Sequence, residues 1–354
     1  MMARLEEICA INMGQSPDSS TYNEDGNGLP FFQGNADFGE IYPAVRMWCS
    51  EPTKIAREKD ILISVRAPIG ALNIANCECC IGRGLAALTV NEDICAQEYL
   101  WHALSGKVDE LNSKGTGSTF KAINKKTLSE TEIPLPPIDE QRKIAAILDK
   151  VSDLIAKRQQ QLDKLDEAVK ARFVEIFGDC YTNPHNLPIE KWNNIFSTTT
   201  GKIDSNAAVE NGKYPFFTCS KETLRINTYA FDQEALLLAG NNAAGKYDVK
   251  YYCGKFNAYQ RTYVLSLKHD WSYALFRFQL EDKLGYLEQQ SLGGLTKYLT
   301  LKILNELEFI VPPKEEQDKF AAFVDQIEKT KTTVSHSLEK LETLKKALMQ
   351  EYFR

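Results

Sequence analysis

The stretch PPIDEQRKIAAILD, Pro136–Asp149, is written again with few changes as PPKEEQDKFAAFVD, Pro312–Asp325, 176 residues further on. The match extends well beyond these two stretches. At the same offset Gly117 meets Gly293, Lys121 meets Lys297, Leu128 meets Leu304 and Glu132 meets Glu308. Downstream Leu162, Leu165, Lys170, Ala171, Glu175 and Phe177 meet Leu338, Leu341, Lys346, Ala347, Glu351 and Phe353. Identities held in one register over about 60 residues mark an internal duplication.

Each quoted stretch opens a helix. Pro136 and Pro137 hold the backbone extended before it, and Asp139 and Glu140 suit the positive end of the helix dipole. From 138 onward there is no Pro and no Gly until Gly178. Apolar residues recur at spacings of three and four: Leu148, Val151, Ile155, Leu162, Leu165, Val169 and Ile176. The second copy shows Val324, Ile327, Val334, Leu338, Leu341, Leu348 and Tyr352. This heptad stripe is interrupted by Arg158 and Arg172 in one copy, and by Lys331 and Lys345 in the other,. Each helix reaches ~40 residues, or ~60 Å. So narrow a stripe needs a partner. The other copy is the obvious one, and packing on the adjoining globular segment is the alternative.

Upstream the halves match more loosely. LPFFQGNA (29–36) is similar to YPFFTCSK (214–221), DILISVRAPIG (60–70) to EALLLAGNNAAG (234–245), and GRGLAAL (82–88) to QRTYVLSL (260–267), which sets Arg83 against Arg261. The short apolar runs DILISV, LAALTV, EALLLAG and TYVLSL, bounded by Gly, Pro and Asn, predict strands. EYLWHALSGKVDELNSKG and SYALFRFQLEDKLGYLEQQ predict helices. The expected organisation is a globular segment 1–137, a helix 138–178, a second globular segment 179–313 and a helix 314–354.

The 354 residues allow two domains, and 43% hydrophobic content supplies their cores,. No window is apolar enough to span a membrane. Glu6 and Glu7 argue against a secretory signal at the N-terminus, so a cytoplasmic protein is expected,. Nine cysteines, an odd count, fit reduced thiols,. Only Cys77–Cys80 cluster, and no second pair completes a metal site, so none is assigned. The net charge of −6 lies wholly in residues 1–137, which hold 18 acids against 12 bases. Bulk charge therefore does not advertise a nucleic-acid binder, although local patches steer such binding. Four scattered histidines, and the absence of a phosphate loop, a dinucleotide fingerprint or a nucleophile elbow, leave no catalytic residue to name,.

GLPFFQGNADFG, DILISVRAPIGALNIA, IGRGLAAL, GSTFKAINKKTL and PPIDEQRKIAAILD, in that order, resemble the specificity subunit of type I restriction-modification systems. GKFNAYQRTYVL, LTKYLTLKIL and PPKEEQDKFAAFVD carry the resemblance through the second half. It implies an α+β protein: two mixed α/β target recognition domains joined by two long antiparallel helices in a coiled coil, with pseudo-twofold internal repetition. It implies a chain that reads a bipartite, asymmetric site on double-stranded DNA and has no catalysis of its own. It implies two methyltransferase partners that use S-adenosylmethionine, and motor-nuclease restriction subunits that use ATP and Mg. A self-contained restriction or modification enzyme, and a protein-only adaptor, are the competing readings.

Loop residues able to pair with base edges or phosphates are then the DNA candidates. In the first half these are Gln33, Asn35, Arg66, Lys114, Ser118 and Lys121. In the second they are Ser220, Lys221, Asn241, Asn242, Lys246 and Lys297. Arg83 and Arg261 could equally be structural. If the helices set the gap between half-sites, inserting one heptad near Gln160 should change the preferred gap and leave the half-site sequences alone. A binding selection on randomised duplexes checks this, and altered half-sites would overturn it.

Overall fold

The structure, a computed structural model, describes residues 1–117, 121–243 and 245–353. The chain forms two compact units. The first combines Met1–Gln159 with His336–Arg354, and the second is Gln160–Ser335. Each unit thus contains a globular segment, half of the central helix (Ile138–Phe177) and half of the C-terminal helix (Lys314–Phe353).

Both globular segments open and close on the same device. In the first, Met2–Arg4 pairs antiparallel with Glu132–Pro134, and the Leu135 N–H donates to the Met1 carbonyl at 2.7 Å. In the second, Ile189–Lys191 pairs with Glu308–Ile310, and Val311 donates to Pro188 at 2.7 Å. The segment's beginning is thereby tied to its end just before the two prolines.

Between these ties the first unit holds a four-stranded antiparallel sheet in the order Cys9–Met13, Leu85–Val90, Ile61–Ser64, Leu72–Ile74. Ile61–Ser64 and Leu85–Leu88 are buried throughout, which is why these runs read as continuously apolar,. A second sheet runs Tyr22–Asn23, Trp48–Cys49, Leu29–Phe32, Cys79–Ile81, Ile55–Ala56, with Leu29–Phe32 parallel to Cys79–Ile81. The second unit carries one six-stranded sheet instead: Phe196–Thr200, Thr262–Leu267, Phe231–Ala239, Val249–Ala258, Tyr214–Phe217, Leu224–Ile226. Its long strand Val249–Ala258 pairs antiparallel with Phe231–Ala239 and parallel with Tyr214–Phe217. In the first unit the same work is split between Leu72–Ile74 and Cys79–Ile81.

Two expected helices are each broken in two. Gln97–Ser105 stops at Gly106 before Val108–Ser113, and Tyr273–Asp282 stops at Lys283 before Leu284–Gln290. Cys79 and Cys80 lie in a buried strand, and burial pushes their thiols up to about 12 and about 11.

The repeated helix start is held by a buried glutamine. The Gln141 Nε2 donates to the carbonyls of Pro136 at 2.8 Å and Ile94 at 3.1 Å, and its Oε1 accepts from the Ala96 N–H at 2.9 Å. The Gln317 Nε2 donates to Pro312 at 2.8 Å, and its Oε1 accepts from the Ser272 N–H at 2.9 Å. Both side chains are essentially inaccessible to water. Each therefore fixes the first helical turn to the preceding proline loop and to the start of a helix in its own globular segment.

The helices pack both on each other and on the globular segments. In the second unit Phe320 lies 5.7 Å, centroid to centroid, from both Phe173 and Phe177, and 5.8 Å from Phe278. The Lys331 ammonium lies 2.7 Å from Asp166. Residue 166 facing 331 and 173 facing 320 is an antiparallel register. In the first unit Ile144, Ala145 and Leu148 share a core with Phe353, whose ring is 5.1 Å from Tyr99. Along the seam Leu148 and Val151 are buried, whereas Ile155, Leu162, Leu165, Val324, Ile327, Leu338, Leu341 and Leu348 are half-buried. The choice between a helix partner and a globular partner is thus no choice, because the helix ends take both.

Truncating Gln317 to Ala strands the Ser272 N–H and the Pro312 carbonyl in a dry site. We expect a loss of about 2–4 kcal/mol, read as a lower urea midpoint. Unchanged stability would show that the glutamine is not what fastens the helix.

Candidate nucleic-acid interface

The strand Leu29–Phe32 runs straight into the loop that carries the first candidates. Asp37, at the end of the short turn Asn35–Asp37, accepts from the Gln33 N–H at 2.7 Å and from Gly34 at 3.3 Å, which fixes the loop's shape. Gly82, Arg83 and Gly84 press against it. Gly84 donates to the Gln33 carbonyl at 3.1 Å, and a Cβ added at Gly84 would lie 2.4 Å from that oxygen. Only glycine permits so close an approach. Gln33, Asn35, Asp37, Arg66 and Arg83 line one open cleft of about 330 Å³.

Lys121 flanks this cleft. Ala67 donates to its carbonyl at 3.0 Å, and Arg66 and Ala122 form a β-bridge. Arg66, Arg83 and Lys121 are exposed, and none has an ion pair among the described residues. Lys114 differs, because its ammonium sits 2.6 Å from Glu110. Burial opposes ionisation of Glu110, but Lys107 and Lys114 together hold its carboxyl below the usual range. Ser118 lies outside the described residues.

The second unit repeats the arrangement with other side chains. Asn241 and Asn242 pair antiparallel with Tyr298 and Lys297, in the place of the Arg66–Ala122 bridge. Gly245 closes the turn by donating to the Asn242 carbonyl at 3.2 Å, and Lys246 beyond it is exposed. Ser220 and Lys221 are exposed after the Tyr214–Phe217 strand, where the Lys250 ammonium donates to the Ser220 carbonyl.

The hydrogen-bond register also corrects one expected equivalence. Gly82 donates to Phe32 at 2.8 Å, as Tyr259 does to Phe217 at 2.9 Å. Val65 donates to Gly84 at 2.9 Å, as Gly240 does to Arg261 at 2.8 Å. Cys9 faces Val90, as Phe196 faces Leu267. Arg261 therefore stands where Gly84 stands, and the counterpart of Arg83 is Gln260. The paired arginines GRG and QRT suggested a register one residue out, and Gln260 was missed for that reason. By the same register Gln33, Asn35, Arg66 and Lys121 answer to Thr218, Ser220, Asn241 and Lys297.

Comparison with known proteins gives a consistent picture. A family model described as Type I restriction modification DNA specificity domain matches residues 1–167 and 191–343. A Methanocaldococcus jannaschii protein that bears the name of the MjaX specificity subunit is 44% identical over 165 residues, 47% of this chain and 39% of that protein. The EcoDI type I restriction enzyme specificity subunit of Escherichia coli is 35% identical over 162 residues, 44% of this chain and 35% of that protein. The chain thus spans well under half the length of these two relatives. The crystal structure of the type I restriction-modification system S subunit from M. genitalium superposes with a TM-score of 0.69 at 14% identity, covering 100% of this chain and 96% of that one. At that identity the likeness is one of fold. Among the described residues, no helix is long and apolar enough to cross a membrane.

If Lys121 and Lys297 meet phosphates, Lys121→Ala or Lys297→Ala should weaken binding evenly across sequences. Each should also flatten the salt dependence of log K by about one charge's worth. An unchanged salt slope in a fluorescence titration would remove that role.

Proposed function

The chain belongs to the family of type I restriction-modification DNA specificity proteins, and from that membership we propose that it is the sequence-recognition subunit of a type I restriction-modification complex. Each globular segment reads one half of a split, asymmetric site on double-stranded DNA. The subunit is non-catalytic. It docks two methyltransferase subunits and, through them, motor-nuclease restriction subunits. S-adenosylmethionine, ATP and Mg belong to those partners, and the complex works in the cytoplasm.

The observation that carries this reading is a polar edge built twice at matched places on diverged segments, exposed at Arg66 and Lys121 and half-buried at Asn241 and Lys297. Arg66 with Lys121 in one unit answers to Asn241 with Lys297 in the other. Lysines there suit phosphates, which set position, while arginine and amide side chains suit base edges, which set sequence. Residues 1–137 carry the whole net charge of −6, so attraction to DNA rests on the local group Arg66, Arg83 and Lys121 and on cationic surface lent by partners. Different side chains in equivalent places support an asymmetric site.

The test is a mobility-shift assay on genomic fragments, with and without methyltransferase subunits, followed by methylation-aware sequencing. The expected result is selective binding to a two-part site, with adenine methylation only when the partners are added. Methylation or cutting by the chain alone would indicate an enzyme. Binding to the partners but never to DNA would indicate a protein-only adaptor.

A further inference from the structure

We propose that the position held by Arg83 in the first unit and Gln260 in the second is a base-reading seat, set for guanine in one half-site and for adenine in the other. The inference rests on the DNA-recognition reading above and goes beyond it by naming the residues and the bases.

The seat's backbone is held at matched places in both units, by a side-chain hydroxyl in the first and a backbone carbonyl in the second. The Arg83 N–H donates to the Ser16 Oγ at 3.2 Å, and the Gln260 N–H donates to the Ile203 carbonyl at 3.1 Å. Ser16 and Ile203 each lie three residues past the matched strand ends Met13 and Thr200. The following turn is closed by Leu85 donating to Gly82 at 3.0 Å, and by Thr262 donating to Tyr259 at 2.8 Å. On one side lies the loop after the FF strand, and on the other the strand end leading to Arg66 or Asn241. Both seat side chains are exposed. A backbone so tightly held beneath a free side chain fixes where that side chain starts without committing its tip.

The side-chain chemistry then separates the units. Arginine presents a planar fork of donors and no acceptor, which matches the O6 and N7 acceptors of guanine. Glutamine presents one donor and one acceptor, which matches N7 and N6 of adenine. The neighbouring seat shows the same exchange, Arg66 in one unit and Asn241 in the other. Arg83 also shares its cleft with Gln33 and Asn35, side chains suited to base edges. An arginine serving only a phosphate would need no such company.

The experiment exchanges the seats in the full chain assembled with methyltransferase subunits. Binding is selected from duplexes randomised in each half-site in turn. Arg83→Gln should move the preference at one base pair from guanine to adenine, and only in the half-site read by the first unit. Gln260→Arg should make the converse change in the other half-site. In each case the original duplex should lose about 10-fold in affinity. Arg83→Lys keeps the charge and loses the fork, so it should relax guanine selectivity while leaving the salt slope unchanged. Thermal melting establishes that the variants are folded, as expected for exposed positions. An unchanged preference at every base pair overturns the proposal. So does an even loss across sequences with a shallower salt slope, which identifies a phosphate contact. If the unaltered complex shows no sequence-selective binding, the functional reading fails as well, and that outcome is distinct from either of these.

Discussion

A single buried amide at each helix start holds this molecule to its plan. Gln141 and Gln317 use both ends of the side chain, one to bind the carbonyl of the preceding proline and one to bind a backbone N–H of the globular segment. A buried amide left without partners would be costly, so the arrangement is specific as well as stabilising. Every bond it makes is to backbone. A junction of this kind is blind to the side chains around it, and the globular segments can diverge while the helix still leaves each of them in the same way. The segments have diverged: beside their two-stranded ties, one carries a four-stranded and a five-stranded sheet, and the other a six-stranded sheet and the short pairing of Asn241–Asn242 with Lys297–Tyr298.

The helices depend on that junction in turn. Their stripe is too narrow and too polar to be stable alone, and its ends are completed by aromatic residues. Phe320 is enclosed by Phe173, Phe177 and Phe278, while the matching position in the first unit holds the smaller Ile144, in the same core as Phe353. Where the stripe is interrupted by Lys331, the ammonium is met by Asp166 and Glu328 at 2.7 and 3.2 Å. Burial disfavours the charge there, but these two carboxylates outweigh it and raise the lysine's affinity for its proton. A polar residue in an apolar seam that is satisfied in one register only helps to fix that register.

Much of this was legible in the sequence because it repeats at a constant offset. The PPxxEQ start, the heptad stripe and the strand runs each have a period or a boundary that local physics recognises. The role of the glutamines was not legible, since their partners Ala96 and Ser272 lie 45 residues upstream and are reached through backbone atoms. Six of the polar residues chosen for DNA contact fall into three matched pairs, Asn35 with Ser220, Arg66 with Asn241 and Lys121 with Lys297. The equivalence of Arg83 was misjudged for a simple reason. Two arginines near two strands attract each other in any alignment, whereas the strand register, set by Cys9 against Val90 and Phe196 against Leu267, places Gln260 there. Ladder hydrogen bonds decide register where residue identity misleads.

The composition of the two units also bears on the order in which they form. The second unit is one continuous stretch, Gln160–Ser335, and can close as soon as it has left the ribosome,. The first unit begins with Met1, yet its core includes Phe353 packed on Tyr99. The half of the protein that is synthesised first must therefore wait, with part of its apolar face uncovered, until the far end of the second helix has been made.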